Sequence, residues 1–104
     1  MLRDDLIAAR ALIDTPEKWG KGSDISPANG RYCAAVACND FRSPAAMFDL
    51  LFEALPERFQ QRGGLIRVGA VFDFNDHPTT THADVLALFD RAIQAATPEP
   101  ENRS

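Results

Sequence analysis

Three segments of the chain repeat apolar residues with the period of an α-helix. The apolar positions recur at offsets of three and four in residues 2–13, 47–55 and 85–96. Ser43 suits the N-cap of the second helix, with Pro44 at its first position. Thr81, followed three residues later by Asp84, fits a capping box at the start of the third. The pattern predicts an all-α fold, a small bundle of three longer helices around one core.

The region between the first two helices is harder to assign. Thr15 and Pro16 suit the start of a short helical turn, and residues 20–30 carry the Gly, Pro and Asn-Gly signals of a loop. Residues 31–39 are rich in alanine and almost uncharged. Alanine favours helix, so we predict a short, fully buried helix here, with a strand as the alternative.

The third quarter of the chain gives two competing patterns. Residues 58–64 are polar and basic, which predicts a solvated loop. Residues 65–74 alternate as a strand does, but no second clear strand is available to pair with them. We therefore predict a short helix or an extended buried segment. The Asn-Asp-His-Pro run at 75–78 predicts a turn before the last helix.

Composition limits the class of protein. The chain has 104 residues, 45% of them hydrophobic, and a net charge of −4. We expect a single domain over residues 1–96 and a disordered tail over 97–104. The acidic balance argues against a nucleic-acid binder, and the apolar runs are too short to span a membrane. Asp4 and Asp5 stand where a signal peptide would be positive, which predicts a cytoplasmic protein.

The two cysteines are predicted to be buried thiols. On a helix, the five-residue offset would turn Cys33 and Cys38 apart, too far for a disulfide. The Cys33/Cys38 and His77/His82 spacings each occur in zinc sites, but residues 39–76 separate the two pairs. We therefore predict no metal and no cofactor. Cys33 stays a possible nucleophile for the reaction site considered below.

Three short elements occur in order along the chain. They are Pro-x-x-Trp at 16–19, Gly-x-x-Cys-Ala at 30–34, and Asn-Asp-x-Pro-x-x-Thr-His-x-x-Val at 75–85, followed by Ala-Ile at 92–93. In these elements the chain resembles an uncharacterised family of bacterial and phage proteins, a domain of unknown function. It departs from the pattern at His77 and in its short, basic middle. The resemblance implies a small helical domain and no established activity.

The last of these elements contains the residues best suited to chemistry. A hydrolytic or proton-transfer site would use Asp76 and His82, with Asn75 orienting a substrate. A structural interpretation is simpler. In it, Asn75 and Asp76 bond nearby backbone groups in a turn, and His82 packs against Trp19 or Tyr32. No spacing in the sequence is diagnostic of catalysis.

Binding is the predicted function. We expect a small binding or regulatory protein that acts through a protein partner, with the small enzyme as the alternative. The candidate binding residues combine the polar corner with two basic positions: Trp19, Arg58, Arg62, Asn75, Asp76 and His82. Arg58, Arg62 and Arg67 are not offset by acidic residues up to Phe72, yet no nucleic-acid reading motif accompanies them. The sequence does not indicate an oligomeric state.

Overall fold

A computed structural model describes residues 2–22, 25–63 and 67–96 of the chain, without the side chains of 61–63. Within those ranges it has no β-strand and five α-helices, which confirms the all-α prediction. The helices are α1 (Leu2–Ala11), α2 (Pro44–Ala54), α3 (Glu57–Gly63), α4 (Arg67–Asp76) and α5 (His82–Ala95). The tail at 97–104, predicted to be disordered, lies outside the described residues.

Helix α2 lies at the centre of the bundle. It packs against both α4 and α5, while α1 packs on α5 and α3 on α4. Met47 and Leu51 of α2 are fully buried, as are Leu88 and Phe89 of α5. Each such side chain contributes about 1.5–3 kcal/mol through the removal of apolar surface from water.

The predicted helix starts are confirmed at α2 and α5. Ser43 is the N-cap of α2 and Pro44 its first residue, although Ser43 makes no side-chain capping bond with the described residues. At α5 the capping box is complete. The Asp84 amide donates to the Thr81 hydroxyl at 3.2 Å, and the Thr81 amide donates to the Asp84 carboxylate at 2.9 Å. This box satisfies two amides that the helix leaves unpaired.

The solvated loop predicted for residues 58–64 is wrong, because most of that segment is helix α3. Phe59 is buried and meets Phe74 edge to face, with ring centroids 5.2 Å apart. The Gln60 side-chain amide donates at 3.0–3.1 Å to three carbonyls where α2 ends, those of Phe52, Glu53 and Leu55. One aromatic anchor and one glutamine therefore dock an otherwise polar helix.

Helix α4 confirms one of the alternatives predicted for its segment and corrects two other expectations, the number of longer helices and the start of the turn. Of the two outcomes predicted for residues 65–74, the described part, from Arg67 onward, is helix. At ten residues α4 is as long as α1, so a count of three longer helices is too low. Asn75 and Asp76 form the end of α4, and the turn follows them, closed by the Thr80 amide on the His77 carbonyl at 3.0 Å. The turn predicted for 75–78 is therefore wrong at its first two residues.

The fully buried helix predicted for residues 31–39 is also wrong, although the burial of its alanines and cysteines is confirmed. The segment contains only a 3-10 turn, Val36–Cys38. The Ala34 amide bonds the Asn75 side chain at 3.0 Å rather than the Gly30 carbonyl, so no α-helical turn begins at Arg31. Cys33 and Cys38 are free and buried, as predicted.

Candidate functional site

Between Ala11 and Pro44 the described residues form no α-helix. We refer to residues 16–34 of this region as the strap; residues 23 and 24 within it are not described. Its described residues include the 3-10 turns Pro16–Lys18 and Pro27–Asn29 and two isolated bridges, Trp19 with Tyr32 and Ser26 with Arg31. Gly30, at φ +77°, takes the left-handed conformation that lets the second turn reverse the chain.

Asn75 connects the strap to α4. Its side chain is fully buried and makes four hydrogen bonds. Oδ1 accepts from Trp19 Nε1 at 2.7 Å and from the Ala34 amide at 3.0 Å. Nδ2 donates to the Gly20 carbonyl and to Asp76 Oδ1, both at 3.0 Å. An asparagine side chain has two acceptor and two donor positions, so every position is used.

These bonds differ from the predicted ones in range. The sequence suggested that Asn75 would bond nearby backbone groups in its own turn. Instead it reaches Trp19, Gly20 and Ala34, which lie 41 to 56 residues away along the chain. Asn75 therefore fixes tertiary structure rather than a local turn.

Asp76 and Lys21 add a second connection between the strap and the C-terminal end of α4. Asp76 Oδ1 accepts from the Gly22 amide at 3.0 Å. Lys21 donates from Nζ to the His77 carbonyl at 2.7 Å, just beyond the end of α4. A positive group at the carboxyl end of a helix is favourable for the helix dipole, so this contact stabilises both the strap and α4.

Trp19 separates Asn75 from His82. Its indole N–H points to Asn75, while its ring lies 5.7 Å from the His82 ring at an interplanar angle of 40°. His82 is thus packed against Trp19, one of the two predicted outcomes. Its Nε2 lies 2.6 Å from the Ile13 carbonyl, which can only accept, so Nε2 carries a proton. The three residues of the predicted reaction site do not share one exposed cleft.

Cys33, near the end of the strap, and Cys38, four residues beyond its end, are buried, protonated thiols. Burial raises the pKa of Cys33, and the negative charge of Asp76 adds to this, although backbone hydrogen bonds such as that from Val36 oppose it. Burial also raises the pKa of Cys38, to about 12, with a smaller contribution from Cys33. The thiolate is the nucleophilic form, so neither environment activates a cysteine at neutral pH.

No group of three or more His, Cys, Asp or Glu residues is placed to hold a metal ion in the described ranges.

The basic stretch presents less unpaired positive charge than its sequence suggests. Arg67 pairs with Asp49 at 3.3 Å and lies 3.9 Å from Glu53, both on α2. Arg58 stacks over the Phe59 ring at 4.8 Å. Arg62 lies in α3, and its side chain is outside the described part.

Gln60 and Arg31 are structural residues that the sequence analysis missed. Arg31 donates from Nη1 to the Trp19 carbonyl at 2.8 Å, across the strap. No local pattern marks either residue. Asn75 was named from its chemistry, and its burial agrees with its place four residues after the buried Val71 on α4.

No helix in the part of the chain that the structure describes is long and apolar enough to cross a membrane. Comparison with curated proteins and with solved structures gave no significant match. One family model, that of a family of unknown function named DUF6197, matches residues 2–95, nearly the whole chain. The chain therefore belongs to the DUF6197 family of unknown function.

Proposed function

We propose that the chain is a small cytoplasmic binding or regulatory protein, encoded by a bacterium or a phage, that acts through a protein partner. The observation that supports this is the strap. Its described residues form no α-helix and are held to α4 mainly by one buried side chain, Asn75. Long irregular segments are uncommon in compact domains, and where they are ordered they usually serve function.

The partner surface lies where the strap meets α4. We define this surface, the seam, as Lys21, Gly22, Phe72 and Asp76. Gly22 and Asp76 are exposed and bonded to each other, and Lys21 is half-buried beside them. Phe72, one helical turn before Asp76, leaves 36% of its surface exposed. An exposed aromatic ring bordered by charged groups is the composition found at the centre of protein interfaces.

The hydrogen bonds of Asn75 and Asp76 also prepare the seam for binding. A loop that must be ordered on association loses affinity, because its conformational entropy opposes the complex. The Gly22 amide and the Trp19 indole N–H are already fixed by α4. The strap can therefore meet a partner with little rearrangement, which favours a binding role.

The small enzyme receives less support. Asn75 has no free polar position to orient a substrate, and Trp19 lies between it and His82. Asp76 is the exposed member of the predicted group, but it already accepts from Gly22 and Asn75. The polar atoms of these residues bond other groups of the protein, so their arrangement favours surface contact over catalysis.

A site-specific cross-linking experiment tests the partner surface. A photoreactive phenylalanine analogue at position 72, expressed in the cell of origin, should capture one predominant protein. The same analogue at position 94, an exposed glutamine on α5, serves as the matched control and should not capture that protein.

The captured protein is then purified and its affinity measured. Phe72→Ala should weaken binding about tenfold or more, as expected for an aromatic anchor. Gln94→Ala should leave the dissociation constant unchanged. Equal capture from both positions, or a partner whose affinity is indifferent to Phe72→Ala, would contradict the proposal.

A further inference from the structure

A pocket of about 260 Å³ lies between α3, α4 and α5, on a part of the surface that the seam does not use. Its lining includes Phe74 and Ala87 as apolar wall and Arg58, Thr80, Asp84 and Arg91 as polar groups. Ligand pockets of proteins are concave and mostly apolar, with a few polar groups that fix orientation. This pocket is more polar than that: two arginines, two threonines and one aspartate outnumber its apolar residues, which suits a small charged ligand.

The two arginines of the pocket are available for a ligand. In an acidic chain, Arg10 and Arg67 are paired with carboxylates. Arg58 and Arg91 have no carboxylate partner in the part of the chain that the structure describes. Arg91 donates from Nε to the Ala54 carbonyl at 3.0 Å, which orients its guanidinium and leaves the terminal amino groups free. The guanidinium of Arg58 is held over the Phe59 ring.

Thr80 supplies a second, independent observation. The residue is only 5% exposed and lines the pocket, yet its hydroxyl makes no hydrogen bond with any described residue. That hydroxyl is not fully enclosed, so it is open to a partner from outside the chain. Thr79 beside it is different, since its hydroxyl lies 2.9 Å from His77 Nδ1. A ligand in the pocket would give Thr80 the partner that the protein does not.

We propose that this pocket binds a small monocarboxylic acid, with the carboxylate between the guanidinium groups of Arg58 and Arg91 and the apolar part against Phe74. The charge of the lining selects a monoanion. Two arginines and one aspartate leave a net charge of +1 among the lining residues. Asp84 is held in place by the Thr81 amide and opposes a second negative charge. A guanidinium group can bind both oxygens of a carboxylate through two parallel N–H donors.

Titration of the isotope-labelled full chain with sodium benzoate tests the site. Backbone amide signals of Thr80, Ala87 and Arg91 should shift and saturate. Benzamide has the same size without the charge and should cause little change. Inorganic phosphate, mostly dianionic above neutral pH, should bind more weakly than benzoate. The measurement uses the chain alone, so its outcome is independent of the proposed protein partner.

Matched variants locate the binding. Arg58→Gln should weaken benzoate binding about tenfold or more, because a charge-assisted hydrogen bond is lost. Thr80→Val keeps the shape of the side chain and should weaken it severalfold. Arg42→Gln removes the same charge before the start of α2, whereas the pocket lies beyond its end, and should have no effect.

Several outcomes would overturn the site. They are the absence of saturable shifts, equal shifts with benzamide, equal weakening by Arg42→Gln and Arg58→Gln, and tighter binding of phosphate than of benzoate. Amide spectra of each variant establish that it is folded, and Thr80→Val provides the test should Arg58→Gln disturb α3.

Discussion

The helical core and the strap are stabilised in different ways. In the core, α2, α4 and α5 each contribute buried apolar residues, such as Leu51, Val71 and Phe89. In the strap, Trp19 and Tyr32 are only partly buried, and the segment is held to α4 by hydrogen bonds through Asn75. Apolar contact fixes the first region. The second is fixed by hydrogen bonds to α4, mainly those of Asn75, together with the burial of Cys33 and Ala34 at its end.

The two regions should therefore respond differently to the substitution of a single side chain. Dispersion and apolar burial are spread over many weak contacts, so the loss of one side chain is shared by its neighbours. The bonds of Asn75 are few and directional, and three of them end on groups in the strap. A single substitution can therefore release the strap while the core stays folded.

Asn75→Ala is expected to have the largest effect. It leaves the Trp19 indole N–H, the Ala34 amide and the Gly20 carbonyl without their partner, at about 1–3 kcal/mol for each group that stays buried. Because the strap can relax, we expect a total of about 4 kcal/mol in the free energy of unfolding. Urea denaturation followed by circular dichroism measures this loss.

Hydrogen exchange locates the effect. In Asn75→Ala the amides of Gly20, Tyr32 and Ala34 should exchange much faster, while those of α5 change less. Asn29→Ala is the matched control, because Asn29 is an exposed asparagine of the strap with one side-chain bond, to Ser26 at 3.1 Å. It should cost about 0.5 kcal/mol or less. A similar loss in both variants would remove the special role given to Asn75.

The core was largely predictable from the sequence. The apolar stripes of α1, α2 and α5 follow the helical period, and the capping box of Thr81 and Asp84 is a local signal. Such features depend on residues within one or two helical turns. These helices and this cap can therefore be predicted from the sequence without knowledge of tertiary contacts.

The strap and α3 could not be predicted in the same way. The structural role of Asn75 depends on contacts with residues 41 to 56 positions away. No pattern in the sequence identifies those partners. Gln60 acts through the carbonyls that end α2, which are not visible as a pattern. In α4 the alternation of Val68, Ala70, Phe72 and Phe74 favours a strand. The helix instead buries Ala70, Val71 and Phe74, and its packing against α2 and α3 is not visible in the sequence.

Leu51→Ala tests the other side of the comparison. Leu51 is fully buried on α2, and its truncation should cost about 3 kcal/mol through lost burial and the cavity left behind. Amide exchange should rise together in α2, α4 and α5, without selective exposure of Gly20 or Tyr32. If Leu51→Ala released the strap first, the two regions would not be stabilised independently, and the distinction drawn here would be wrong.

The smallest expected losses of stability are those of Asp76→Ala and His82→Ala. They test whether these residues have a structural role or form a reaction site. Asp76→Ala removes the acceptor for the Gly22 amide and for Asn75 Nδ2, and should cost about 1 kcal/mol. His82→Ala loses one bond to the Ile13 carbonyl and some packing on Trp19, and should cost about 0.5 kcal/mol.

Thermal melting distinguishes these values, because about 1 kcal/mol shifts the melting temperature of a domain this size by about 4–8 °C. Asp76→Asn is the matched control, since it keeps an oxygen acceptor and should lose less than Asp76→Ala. Residues kept for catalysis are often strained or desolvated, so their removal tends to leave stability unchanged or improved. If Asp76→Ala and His82→Ala both melted at or above the parent temperature, the bonds of Asp76 and His82 would not stabilise the fold. The small enzyme would then explain Asn75, Asp76 and His82 better than a binding surface does.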